Sequence, residues 1–136
     1  MARCFDPARC CLHVTDWPMA DRVLWEVALR PTSPEDETRS SAADWRPATR
    51  HKNRRGYGRW LNHLACSAPS DLNLAPPERV THERVRGYHS ALRGQGLSAY
   101  TLRNRIAELL SVMLAFASER DWSWLKRKVN YLSRLA

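Results

Sequence analysis

No apolar run in this chain of 136 residues approaches the roughly 20 needed to cross a bilayer. A membrane-spanning helix is therefore excluded, and no membrane partner is expected. No CxxC pair is present either: the cysteines are Cys4, Cys10, Cys11 and Cys66, and two adjacent thiols cannot readily serve as two arms of one zinc site. They read as reduced thiols. The histidines, His13, His51, His63, His82 and His89, lack the HExxH spacing that sets two ligands on one helical face, so neither a metal nor another cofactor is expected. The opening "MARCFDPARCCLHVTDWP" is broken by Asp6, Pro7, Arg9 and His13 and does not read as a secretory signal, which points to the cytoplasm. No stretch alternates apolar and polar residues with a period of two, so β structure should be negligible. Finally, residues 45–65 contain no acid at all.

That last absence matters because the chain is basic. It carries 22 Lys and Arg against 14 Asp and Glu, a net charge of +8, with a pI near 9.9. The charge is uneven: residues 1–44 hold five Arg and eight acids, whereas residues 45–136 hold seventeen Lys or Arg and six acids. Attraction to polyanions is expected of the second part. The length suits one hydrophobic core with an extension. We place the boundary near Asp44, giving an extension with one helix and an acidic linker over 1–44 and a helical domain over 45–136. The extension either shields the basic surface or ties a helix to the core.

The extension's helix lies in "DWPMADRVLWEVALR", with Asp16 as N-cap, Pro18 in the first turn, and Val23, Val27, Leu24 and Leu29 as its apolar side. "PTSPEDETRSSAAD" then reads as solvated linker. Four further helices follow. The first opens at Pro47 and runs to about residue 65; after the Pro-rich loop "SAPSDLNLAPPER", Thr81 caps a second that ends at Gly94 and Gly96. Ser98 caps the third, over about 99–118, where Leu102, Ile106, Leu109, Met113 and Phe116 form the strongest amphipathic period in the chain. Asp121 caps the fourth, with Leu125, Val129 and Leu132 inward.

At about 100° per residue, Tyr57, Trp60, Leu61 and Leu64 fall on one side of the 47–65 helix and Lys52, Arg55 and Arg59 on the other. Arg46, Arg50 and Arg54 continue the apolar side without apolar neighbours, so this end should project past the core. The second helix sets Arg86, His89 and Arg93 away from Val85, Tyr88 and Leu92, and the fourth sets Lys126, Arg127, Asn130 and Arg134 away from its leucines. The third carries a polar strip of Thr101, Asn104 and Ser111. Exposed helices usually mix signs, because like charges at i+4 repel by a few tenths of a kcal/mol. An all-basic helix makes sense where phosphates supply the counter-charge. Arg50 and Arg103 are candidates for base edges. Gly56 and Gly58, each costing roughly 1 kcal/mol against Ala in a helix, require a close approach by either a ligand or a crossing helix.

The segments "CLHVTDWPMADRVLWEVAL", "DWRPATRHKNRRGYGRWLNHL", "APPERVTHERVRGYHSAL", "SAYTLRNRIAELLSVMLAF" and "RDWSWLKRKVNYLSRLA" together resemble the N-terminal, core-binding part of phage-type integrases, the tyrosine recombinases. The resemblance implies an all-α fold: a four-helix, SAM-like core-binding domain with an additional N-terminal helix. It implies that the partner is double-stranded DNA at a recombination site, together with a recombinase catalytic domain or other recombinase protomers. It implies DNA contacts around Arg50, Arg54, Arg55, Arg86, Arg93, Lys126 and Arg127, with Thr101 and Arg103 at the start of the third helix, and the charge pattern adds Arg46, Lys52 and Arg59 to the expected DNA-binding set. The family's nucleophilic tyrosine, two arginines, lysine and histidines or tryptophan have no place here; Tyr57, Tyr88, Tyr100 and Tyr131 read as core or rim residues. The expectation is a DNA-gripping module that cleaves no strand. The alternatives are a free-standing basic regulator on DNA, or a helical protein-interaction module anchored by Trp17, Trp25, Trp122 and Trp124.

Overall fold

The computed structural model describes residues 11–31 and 40–136. Cys4, Cys10 and the acidic residues Glu35, Asp36 and Glu37 of the expected linker lie outside the described residues. Among those described, the chain is all-helical with no strand: α1 (Met19–Leu29), α2 (Pro47–Ser67), α3 (His82–Gly94), α4 (Ala99–Phe116) and α5 (Ser123–Leu135), joined in part by single 3-10 turns. No helix among them is long and apolar enough to cross a membrane.

The capping chemistry follows the side chains. Thr81 accepts the Arg84 amide at the start of α3, Ser98 accepts that of Thr101 at the start of α4, and Asp121 accepts the Ser123 amide ahead of α5. Pro47 occupies the first turn of α2, where its missing N–H costs nothing. Gly96, at φ +72°, supplies the left-handed step that reverses the chain after α3. One cap differs from expectation. Asp16 lies in the 3-10 turn Val14–Asp16, and the Pro18 carbonyl receives the Asp21 and Arg22 amides at the head of α1.

The buried side of α1 also differs. It carries Asp21, Trp25 and Ala28, with Leu29 partly buried against the core as expected, whereas Val23 and Val27 are each 48% exposed. The rotation is set by what the helix must bury. Trp25 packs edge-on to Trp17 at 5.5 Å between ring centres and tilted against Trp45 at 5.9 Å, and one indole buries more area than a valine. Asp21 turns inward to meet a buried cation.

That cation is Arg79, fully buried in the Pro-rich loop. Its Nη1 donates to Asp21 Oδ2 at 2.7 Å, and its Nε and Nη2 donate to the carbonyls of Asp71 (3.2 Å), Leu74 (3.1 Å) and Leu72 (2.9 Å). Tyr57 of α2 donates its hydroxyl to the same Asp21 oxygen. One guanidinium thus fastens the loop to α1 and α2. Burying a charge is tolerable only with pairing of this kind.

Helix α4 is the centre of the fold and packs most extensively against α5 and α2. Leu102, Ile106, Leu109 and Met113 are buried, as are Leu125, Val129 and Leu132 of α5. The described parts of the extension share this core. Trp17 packs edge-on to Tyr57 at 5.2 Å, Ala42 is wholly buried, and Ser40 donates to the Ala115 carbonyl at 3.4 Å. Trp122 is buried too and Trp124 half-buried, which makes the tryptophans packing residues. Tyr57 and Tyr88 are core residues, whereas Tyr100 and Tyr131 are surface residues.

Candidate nucleic-acid interface

Both α2 glycines answer to packing within the chain. A Cβ on Gly56 would lie 2.4 Å from Glu108 Cβ on α4, and one on Gly58 would lie 2.4 Å from the Leu12 carbonyl oxygen. Gly58 therefore lets the segment ahead of α1 run against α2, where the Leu12 amide donates to the Gly58 carbonyl at 3.0 Å and Cys11 Sγ to the Arg55 carbonyl at 3.4 Å.

With these contacts fixed, the basic residues divide into two groups and a remainder. The first group surrounds the middle of α2. Arg46, Arg50, Lys52, Arg54 and Arg55 are exposed, and every residue from 46 to 52 is open to solvent, so the head of α2 projects beyond the core. Arg59 differs from the expected outward placement: its side chain is 19% exposed and lies 4.0 Å from Glu108 Oε1. Arg105 of α4, which the sequence did not single out, approaches the same oxygen at 3.6 Å. Glu108 is the buried acid that relieves part of the repulsion. Burial pushes its carboxyl above the ordinary range, while Arg105, Arg59 and Lys52 act in the opposite direction. Burial lowers the Arg59 guanidinium, and the neighbouring Arg105 and Arg55 lower it further. At Cys11 the thiol is raised by burial, with Arg59, Arg55, Arg54 and Arg105 all acting against the rise. Four guanidiniums therefore act on the Cys11 thiol beside the middle of α2.

The second group joins α3 to α5. Arg86 and Arg93 are exposed, and Lys128 of α5, also absent from the expected set, is half-buried beside Arg86. Burial lowers His89, and Lys128 and Arg93 lower it further; Lys128 is lowered by burial and by Arg86. Both groups are thus depressed first by burial and then by neighbouring cations. His82 and Trp124 stack here at 4.1 Å between ring centres, which seats the first turn of α3 against that of α5.

The remaining expected residues are placed variously. Lys126 and Arg127 are exposed on α5. Thr101 is half-buried, and its hydroxyl accepts from Ser98 at 3.0 Å within the α4 cap. Arg103 is half-buried and donates to Ser133 Oγ at 3.1 Å and Asn104 Oδ1 at 3.1 Å, which engages it between α4 and α5. Among the described residues no group of three or more His, Cys, Asp or Glu comes together in a way that would hold a metal ion.

Two residues had weak signals in the sequence. Arg105 follows Arg103 on a helix whose polar strip drew attention to Thr101 and Asn104, and Lys128 extends the "KRK" run at 126–128. Only the packing of α4 on α2, and of α5 on α3, gives either its neighbours. Comparison of the chain with family models, curated proteins and solved structures finds no match.

Proposed function

We propose that this chain is a binding module for double-stranded DNA, of the helical SAM-like kind by which tyrosine recombinases grip a recombination site, and that it contributes grip rather than strand cleavage. A recombinase catalytic domain, or further protomers on the same site, would be its protein partners. The observation that carries the reading is a contrast between two sets of cations. Four guanidiniums that the fold draws at least partly inward meet a carboxylate: Arg79 has Asp21 at 2.7 Å, Arg84 has Asp71 at 2.9 Å, and Arg59 and Arg105 share Glu108, whereas the half-buried Arg103 meets Ser133 and Asn104 instead. Arg46, Arg50 and Lys52 on the projecting end, and Arg54 and Arg55 in the turn that follows, have no such partner within 4 Å among the described residues. Their mutual repulsion is relieved when phosphates arrive.

The test is a salt titration of binding to random-sequence duplex DNA, read by fluorescence anisotropy. The logarithm of the association constant should fall with that of salt by about 0.9 per phosphate contacted, and Arg50→Glu with Arg55→Glu should flatten the slope by about 2. Leu109→Ala serves as the control for lost packing. Absence of binding at about 50 mM salt, or a flat salt dependence, refutes the reading.

A second reading, a protein-interaction module, has one observation in its favour: Met19, Val23 and Val27 are exposed at i, i+4 and i+8 on α1. Val23→Asp with Val27→Asp separates the two, since it should leave DNA affinity unchanged.

A further inference from the structure

The segment 11–15 and the second and third turns of α2 are the walls of an open groove of about 650 Å³. One wall is held firmly. The Leu12 amide is taken by Gly58, its carbonyl accepts the buried Trp17 indole N–H at 2.9 Å, and Cys11 is bonded to the Arg55 carbonyl. His13, next along, is exposed and faces the groove. The opposite wall presents His51, Arg54 and Arg55, all exposed. Arg54 Nη2 lies 2.8 Å from His51 Nδ1, so the guanidinium and the imidazole are held side by side.

Among the described residues, the groove's lining contains two guanidiniums and two imidazoles and no carboxylate. Every ionisable nitrogen in it is a donor or becomes one on protonation, which matches an acceptor-only ligand of negative charge. The volume is within the range of small-molecule sites but the groove is open, which suits a phosphate carrying substituents rather than an enclosed ion.

We propose that this groove is a phosphate seat, which holds a phosphodiester of a nucleic-acid backbone, or the phosphate of a free nucleotide, between His13 on one wall and His51, Arg54 and Arg55 on the other. The backbone source rests on the DNA-binding reading above; the phosphate chemistry does not. The seat gives the segment ahead of α1 a part in recognition that its acidic surroundings in the sequence conceal.

The experiment uses the intact chain with isotope-labelled histidine, titrated with inorganic phosphate, with a nucleoside monophosphate and with chloride at matched ionic strength. The ring signals of His13 and His51 should move saturably with the two phosphates and not with chloride, while that of His82, stacked on Trp124, stays still. Equal movement in chloride, or equal movement at His82, overturns the proposal. In a second arm, His13→Ala with His51→Ala should weaken duplex binding at pH 6 by about three- to tenfold with helicity unchanged. Phosphate-dependent shifts with unaltered duplex affinity support the seat and assign it to free nucleotides. Shifts without any duplex binding leave the seat standing and refute the DNA-binding reading.

Discussion

Replacing Arg79 with methionine keeps a long side chain in the Pro-rich loop but removes the cation and all its donors. Asp21 would then be a buried carboxylate with Tyr57 as its remaining donor, since Asp21 Oδ1 already lacks one among the described residues. The carbonyls of Asp71, Leu72 and Leu74 would lose the guanidinium as well. Breaking a buried ion pair from one side costs about 3–5 kcal/mol. The rim of the loop is partly exposed and its carbonyls can rehydrate, so we add nothing for them. A domain of this length has a total stability of roughly 7–20 kcal/mol, so Arg79→Met removes a large share of it. With a urea dependence of about 2 kcal/mol per molar, the unfolding midpoint should fall by about 2 M, followed by tryptophan fluorescence and far-ultraviolet circular dichroism together. Asp21→Asn should be similarly harmful, and the double variant should recover part of the loss, with a coupling above about 1 kcal/mol. A single Arg79→Met variant whose midpoint stays within about 0.3 M of the parent would refute the argument.

Gly56→Ala, despite a gain in helix propensity of roughly 1 kcal/mol, should be net destabilising by about 1–2 kcal/mol in urea, because the new methyl meets Glu108 Cβ, an atom that cannot swing aside. Glu108→Gln should not lower the midpoint at pH 7: the raised carboxyl means that ionisation costs stability in the folded state, a contribution present below the unfolded value and lost as pH rises through the folded one. Burial raises both Tyr57 and Tyr88, so the folded chain holds phenolic protons that the unfolded chain gives up near pH 10; stability should be full below pH 10 and decline above it, and Tyr88→Phe should blunt the decline in an alkaline denaturation series.

The helices were legible because their signals are local. Thr81, Ser98 and Pro47 mark their ends by hydrogen bonds made or missing within one turn, and the α4 stripe repeats often enough to fix its inward side. The α1 stripe misled because two valines at helical spacing looked like a core face, while the true face holds an aspartate whose partner lies 58 residues away. No local rule distinguishes Arg79 from the other arginines of a basic chain. At the candidate interface, sequence periodicity identified the exposed cations at the head of α2, but Arg59 belongs to the crossing with α4. The groove depends on Gly58 admitting a backbone from before α1, a tertiary contact invisible to helical spacing.

The buried ion pair also bears on how the chain divides. Charge composition suggested that residues 45–136 form a unit to which the preceding segment is attached. Yet Arg79 is in the later part and Asp21 in the earlier, so cutting between them would leave a guanidinium sealed in the interior with no anion to meet. The loop between the basic helices therefore takes the carboxylate that meets Arg79 from the segment ahead of them. A fragment starting at Trp45 should fail to fold, and adding the segment in trans should restore it. A seam drawn by charge would separate Asp21 from Arg79, so the chain should unfold in one step rather than in two parts divided near Asp44.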